Sequence, residues 1–408
     1  MKSPIQVHEN EKLRIGEKGF EDKHFQALTS YNDKHGKEFF KVGHKHIQFT
    51  SFVGVIQVLD LTIEIMPKID TEGRKINNDK DYLIKMLRVC KNVPLSPTEN
   101  AKQRIRKNSS LLDLFFQKFL DDTETILHRG LKKKYLREQS NLPVLKGKLV
   151  FSKHISQNIV HQERFFTEHT VYNRNMILNQ LLKKALQIIK EITRSNEIKL
   201  RSADFLLFFE NVEMPKSVNH ETFRKIRFTR HNDFYKEAMI LAEMIILQYS
   251  PQISGGKTPV LAILFQMHRL FEEFVFRKIR QFLPEYSVRN QNSSLFWKSR
   301  RIRPDIIIEK GEQKVILDTK WKVFSGMPSD SDIQQMFVYC KRLKNENSIQ
   351  KAFLVYPGEK SEKIIEAEEY HKCIDSKMGI ITVSIPELLA NNSKEFTIFL
   401  TNLCPSLL

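Results

Sequence analysis

Asp305, Asp318 and Lys320 have the types and spacing needed for phosphodiester chemistry. In Asp318-Thr319-Lys320 the acid and the lysine stand two positions apart, so on a strand both leave the same face. Carboxylate oxygens hold Mg²⁺, a hard cation that keeps several waters and takes one or two protein carboxylates. Such a metal polarises a phosphate and lowers the pKa of a bound water. A lysine beside it can orient that water and offset charge on the scissile phosphate. The plain alternative is a solvated surface hairpin that happens to carry Asp and Lys.

A hairpin is the element that must bring Asp305 to the other two. Ile306–Ile308 and Val315–Leu317 are β-branched and aliphatic runs that fit a buried pleated surface. Lys310-Gly311-Glu312-Gln313 between them is polar and holds a glycine, as a turn requires. Asp305 then starts the first strand beside the end of the second. Upstream, Leu264, Met267, Phe271, Phe274 and Val275 follow helical spacing and predict an amphipathic helix over Leu261–Phe282, with Glu272 and Glu273 beside its stripe. Downstream, Asp332–Tyr339 begins a second helix on which Gln335 and Tyr339 are one turn apart. Lys351–Pro357 reads as a further strand.

Pro304-Asp305 and Asp318-Thr319-Lys320, in the order helix, hairpin, helix, strand, resemble the PD-(D/E)xK nuclease superfamily. Gln335 with Tyr339 resembles the QxxxY element of its RecB-like branch. The resemblance implies that Glu272 joins Asp305 and Asp318 as a metal ligand, in preference to Glu273, and that Gln335 approaches the active site. The alternatives are a solvated helix charge for Glu272 and a polar helix face for Gln335 with Tyr339 packed.

The 408 residues exceed what one ordinary domain needs and predict two or three. A net charge of +18 favours a polyanionic partner, and with the hairpin it favours double-stranded DNA. Cys90, Cys340, Cys373 and Cys404 have no zinc spacing and form no disulfide framework. Met1-Lys2-Ser3-Pro4 begins no signal peptide, and no apolar run reaches membrane-spanning length. A cytoplasmic protein without a membrane partner is the expectation.

Along the chain, Phe39–Val42, His46–Phe49, Phe52–Val58 and Leu61–Lys68 read as strands of a small sheet or partial barrel. From Tyr82 to Lys134 the pattern is helical, with a stripe of Leu111, Leu114, Phe115, Lys118 and Phe119. Arg129–Tyr135 is a basic cluster with an aromatic, either a phosphate contact or a solvated helix end. Lys148–Phe151 is strand-like, and Asn173–Ile192 and Phe234–Tyr249 are helical. Ser250–Pro259 is the linker candidate. Its Gly255-Gly256-Lys257-Thr258 mimics a phosphate-binding loop, but Pro251 occupies the position of the leading glycine, so nucleotide binding is rejected. The expected fold class is α+β and multidomain. It comprises a β-rich N-terminal partner-interaction domain (1–75), a mainly helical middle region (76–258) and a C-terminal PD-(D/E)xK-type α/β nuclease core (259–408).

Several further segments, in order, resemble the McrC family, nuclease subunits of McrBC-type modification-dependent restriction systems. They are Gly54–Val58 with Leu61–Ile69, Gly130-Leu131 with Tyr135, Leu145–Leu149, Tyr172–Asn175 and Met267–Val275. They span about residues 50 to 340. The resemblance implies an Mg²⁺-dependent endonuclease subunit that cuts methylated DNA together with an McrB-like AAA+ GTPase hexamer, whose GTP hydrolysis it stimulates. By the same resemblance Asp305, Asp318, Lys320, Glu272 and Gln335 are catalytic, and Asp305, Asp318 and Glu272 hold the metal. Gln334 stands where the family pattern has an aromatic. The competing readings are a stand-alone repair or recombination nuclease and a non-catalytic adaptor of a AAA+ motor.

Overall fold

The computed structural model describes residues 4–35, 39–68, 79–90, 110–250, 259–290, 294–297, 300–311, 313–324, 326–343, 349–358, 361–367 and 377–389. Residues 251–258 of the linker candidate Ser250–Pro259, with its glycine-lysine sequence, lie outside them. Tertiary contacts divide the chain into two compact units, residues 105–263 and residues 2–104 together with 264–408. The α+β expectation is met at the level of class: helices and several sheets alternate along the chain. Among the described residues no helix is long and apolar enough to cross a membrane.

In the unit formed by the two ends of the chain, β1 (Ile5–His8) runs parallel to β6 (Leu61–Met66), and β6 pairs antiparallel with β5 (Phe52–Val58). A second small sheet has the order β2 (Lys12–Arg14), β4 (His46–Phe49), β3 (Phe40–Gly43). Apart from half-buried Phe52, the apolar side chains of β5 and β6 are buried, as suits their β-branched composition. α1 (Asp22–His35) carries buried Ala27, Leu28 and Tyr31. Its His24 is buried, taking the Glu21 amide on Nδ1 at 2.9 Å, so Nε2 is the donor to Asp60, 2.8 Å away. α2 (Asp79–Val89) packs on α9 (Met267–Phe282).

The C-terminal part of this unit is a mixed sheet ordered β12 (Ser287–Asn290), β15 (Ile306–Lys310), β16 (Gln313–Thr319), β17 (Ile349–Gly358), β19 (Lys377–Ser384), β18 (Glu362–Ala367). The predicted hairpin is β15 and β16, antiparallel, with Gly311 in its turn at φ +58°, a conformation glycine adopts without strain. β16, β17 and β19 run parallel to one another. α10 (Asp330–Leu343) covers one face through Met336, Tyr339 and Cys340, which pack on Ile316, Ala352, Leu354 and Tyr356. Ile306–Ile308 and Val315–Leu317 are all buried, the continuous apolar signature of strands covered on both faces.

The other unit is mainly helical. α3 (Leu111–Arg129), α5 (Ile177–Ile192), α6 (Asn196–Leu207) and α8 (Lys236–Leu247) pack together. Ser110 and Asp113 cap α3 reciprocally, at 3.0 and 3.2 Å. Of the stripe that its spacing predicts, α5 buries Leu181, Leu182, Ala185 and Ile188, while Ile177 in its first turn is exposed. Beside the bundle, β7 (Lys134–Leu142) and β8 (Lys148–Leu149) flank β9 (Phe165–Asn173), with α4 (Phe151–Asn158) against β9. α7 (His220–Arg224) and the hairpin of β10 (Tyr249–Ser250) with β11 (Val260–Gln266) complete the described elements of this region.

Several expectations change. The helix read from Asn173 begins at Ile177, since Asn173 closes β9; the helix read to Tyr249 ends at Leu247; and of Lys148–Phe151 only Lys148–Leu149 is strand, Phe151 opening α4. The helix read over Leu261–Phe282 begins at Met267, because Val260–Gln266 is a strand. Its unbroken apolar run fits a buried strand and a buried helix equally well by periodicity. The basic cluster Arg129–Tyr135 is a junction, where α3 ends at Gly130 and β7 starts at Lys134. Lys133 lies over the Tyr172 ring, and Tyr172 stacks on Tyr135 at 4.6 Å between centroids.

A buried polar hub fixes that junction to the bundle. Asn179 Nδ2 donates to the carbonyls of Lys132 (2.9 Å) and Arg174 (2.7 Å), and its Oδ1 accepts from Tyr235 OH (2.9 Å). Tyr235 OH in turn accepts from Lys132 N (2.9 Å). Asn179→Ala strands several buried polar groups at once and is expected to cost about 3 kcal/mol, against about 1 kcal/mol for Tyr235→Phe. Urea unfolding of the two variants checks the ranking; a smaller loss for Asn179→Ala contradicts it.

Candidate active site

The hairpin register places the central acids. Ile306 faces Leu317, so one step further sets Asp305 level with Asp318. Asp305 Oδ2 accepts from Thr319 N and Thr319 Oγ1, each at 2.7 Å, which locks the end of β16 to the start of β15. Lys320 N donates to Val355 O at 2.8 Å, extending the parallel pairing of β16 with β17 by one residue. Asp318 has the parity of Ile316, so it leaves the face that α10 covers.

Asp318 is 2% exposed. Lys320 Nζ donates to Gln335 Oε1 at 2.9 Å and forms ion pairs with Asp318 Oδ2, 2.7 Å away, and with Asp332 Oδ1, 3.3 Å away. The approach to Asp318 Oδ2 is off the hydrogen-bond axis, and that oxygen is buried without a hydrogen-bond partner. Gln335 Nε2 is 3.4 Å from Asp318 Oδ1 and donates to Tyr339 OH at 2.6 Å; Tyr339 OH donates to Arg303 O at 3.1 Å. The choice between neighbouring glutamines is thereby made: Gln335 meets the lysine, and Gln334 is exposed.

The electrostatics follow from burial and crowding. Burial, then the charge of Asp305, raises the Asp318 carboxyl to about 6, against the opposing pull of Lys320. Burial alone would depress the Lys320 ammonium, but Asp318 and Asp332 outweigh it and raise it. Asp332 is held down to about 2 despite burial, by Lys322 (2.6 Å), Ser329 and Lys320. Around Asp305, Asp318 and Asp332 the described ion pairs supply two lysines, Lys320 and Lys322, so the carboxylates outnumber them by one. A divalent cation suits that deficit. Asp305, through the oxygen not engaged by Thr319, and Asp318, through its orphaned oxygen, are the residues able to hold it. Among the described residues no three His, Cys, Asp or Glu side chains form a ready cage, so two carboxylates and water would make up the shell.

Glu272 sits half-buried on α9, one turn beyond His268 on the same face. The charge of Asp305 reaches His268, where it opposes the lowering effects of burial and Arg269. Glu273 pairs with Arg277 at 2.5 Å. Sequence reasoning missed Asp332, although it stands three residues before Gln335 and therefore on the same helical face.

Comparisons with known proteins agree with the architecture. No curated protein sequence matches the chain. A chain of the refined half-complex from the tetradecameric assembly of Thermococcus gammatolerans McrB AAA+ hexamers with bound McrC superposes with a TM-score of 0.73 at 18% identity. The match covers 98% of this chain and 100% of that one. A chain of the cryo-EM structure of the Thermococcus gammatolerans McrBC complex matches with a TM-score of 0.52 at 17% identity, over 69% of this chain and 88% of that one. The family model described as McrBC 5-methylcytosine restriction system component matches residues 47–357, close to the span over which the sequence resemblance runs. The chain belongs to the McrBC 5-methylcytosine restriction system component family.

Proposed function

We propose that this chain is an Mg²⁺-dependent DNA endonuclease subunit that cuts methylated DNA together with a AAA+ GTPase hexamer and stimulates its GTP hydrolysis. The observation that carries the cleavage reading is the convergence of Asp305, Asp318, Lys320 and Gln335 at one end of the β15–β16 hairpin. In this reading the sheet with α9 and α10 is a PD-(D/E)xK core. Family membership and the likeness to a chain from an assembly of AAA+ hexamers support the partner.

Bound Mg²⁺ would neutralise charge on the scissile phosphate and supply a water of lowered pKa. The protein's own groups do the rest. Asp305 and Asp318 would hold the cation, with Thr319 keeping Asp305 in place. Lys320 carries more donors than Asp332 and Gln335 together can occupy, so with Asp318 held by a cation one ammonium donor would be left for phosphate or water. Gln335, itself fixed by Tyr339, keeps the lysine over the acids. The division into partner contact (1–75), middle region (76–258) and cleavage (259–408) is one of roles, because the first and last segments share a compact unit.

Reconstitution tests this reading. The wild-type chain is mixed with methylated plasmid and Mg²⁺, with and without the AAA+ partner and GTP. Cutting is expected only in the complete mixture. Cutting by the chain alone would make it a stand-alone nuclease, and unchanged GTP hydrolysis on adding the chain would remove the partner role.

A further inference from the structure

We infer that Glu9 is a positioning residue for the candidate active site, acting through Trp321 to fix Lys320; the inference rests on the cleavage reading above. Trp321 follows Lys320 directly, and its indole Nε1 donates to Glu9 Oε1 at 2.6 Å across 312 positions of sequence. Glu9 belongs to the N-terminal sheet: its N–H donates to Met66 O at 3.0 Å, and its Oε1 also accepts from Lys68 N at 2.9 Å. The carboxylate thus joins the exits of β1 and β6 to the residue beside the active-site lysine.

The surroundings make this contact more than packing. Residues 319–322 are fastened by Thr319 to Asp305, by Lys320 N to Val355 O and by Lys322 Nζ to Asp332, all within the C-terminal sheet and its helices. Glu9 supplies a fastening from the N-terminal strands. The Trp321 ring packs on Phe271 of α9, 5.2 Å between centroids, so the indole lies between the lysine segment and the helix that bears His268 and Glu272. Glu9 is 3% exposed, and its Oε2 has no hydrogen-bond partner. A buried carboxylate with one unsatisfied oxygen is costly to desolvate, while its other oxygen takes two N–H donors that an apolar side chain would leave unpaired. What the acid adds is a directed acceptor for the indole. In the proposed reading the N-terminal sheet meets the AAA+ partner, so Glu9 and Trp321 link that sheet to the cutting site.

The test uses the full chain with its AAA+ partner, GTP, Mg²⁺ and methylated plasmid. Trp321→Phe removes the indole donor and keeps a ring on Phe271, Glu9→Leu removes the acceptor, and Glu9→Gln keeps an acceptor oxygen without charge. Trp321→Phe and Glu9→Leu are expected to lower the maximal cutting rate about 10- to 100-fold, the scale of a misplaced catalytic group. The half-saturating plasmid concentration and GTPase stimulation should stay unchanged. The double variant should be no slower than the slower single, and Glu9→Gln should restore most of the rate. A parallel fall of cutting and GTPase stimulation in both single variants would mean a merely structural contact and overturn the inference. So would wild-type cutting by Trp321→Phe and Glu9→Leu while Lys320→Ala is dead. If Lys320→Ala also cuts at the wild-type rate, the cleavage reading itself falls and takes the inference with it.

Discussion

Asp318→Asn is expected to abolish cutting and yet to stabilise the metal-free protein at neutral pH. The carboxyl rises from its ordinary 3.8 to about 6 in the fold, chiefly through burial and then through Asp305. Between those two values the folded chain holds a proton that the unfolded chain has released. This group's contribution to stability is therefore full below about pH 4 and is lost as pH rises through about 6. Above that, the ionised carboxylate costs about 3 kcal/mol, less whatever Lys320 loses when its partner becomes an amide. Denaturant unfolding in EDTA at pH 7.5 should show the asparagine variant more stable by about 1–3 kcal/mol, with the difference shrinking toward pH 4. Cutting should fall by more than about 100-fold, since the orphaned anionic oxygen is gone. An asparagine variant less stable than wild type at pH 7.5 would mean that the ionised acid stabilises the fold as a partner of Lys320.

Residues 259–408 produced alone are expected not to melt cooperatively, and to recover a cooperative transition when co-produced with residues 1–104. α9 leans on α2, Cys90 Sγ lies 3.6 Å from Leu270 O, and Met267 N donates to Ser51 O at 2.9 Å. Without the N-terminal segment, the α9 surface that faces α2 and the Trp321 indole both lose their cover. That cover is lost from a fold whose whole net stability is on the order of 5–15 kcal/mol. Circular dichroism and thermal melting of the fragment, the mixed fragments and the full chain decide the point. Cooperative melting of 259–408 by itself would show that the two ends share a unit without depending on one another.

The hairpin was legible because its information is local. β-branched runs, a glycine turn and paired acids lie within about 15 residues, and antiparallel register does the rest. Gln335 was legible through helical periodicity, although choosing it over Gln334 required the structure. Asp332 was missed because a first-turn acid is normally a helix-terminus charge, and only the fold turns it toward two lysines. Glu9 was beyond sequence reasoning, since nothing local marks an acid whose partner lies on the far side of the chain. The strand Val260–Gln266 was read as helix because an unbroken apolar run lacks a period. β9 was missed for the opposite reason: Phe165–Asn173 mixes polar and aromatic residues, with its second half largely at the surface.

The most direct test of the central claim is cutting of methylated plasmid by the chain reconstituted with its AAA+ partner, GTP and Mg²⁺, comparing wild type with Lys320→Ala while GTP hydrolysis is followed in the same tube. The account predicts that the variant stimulates GTP hydrolysis as wild type does and leaves the plasmid intact. Wild-type cutting by Lys320→Ala would contradict it and move the chemistry away from the β15–β16 hairpin.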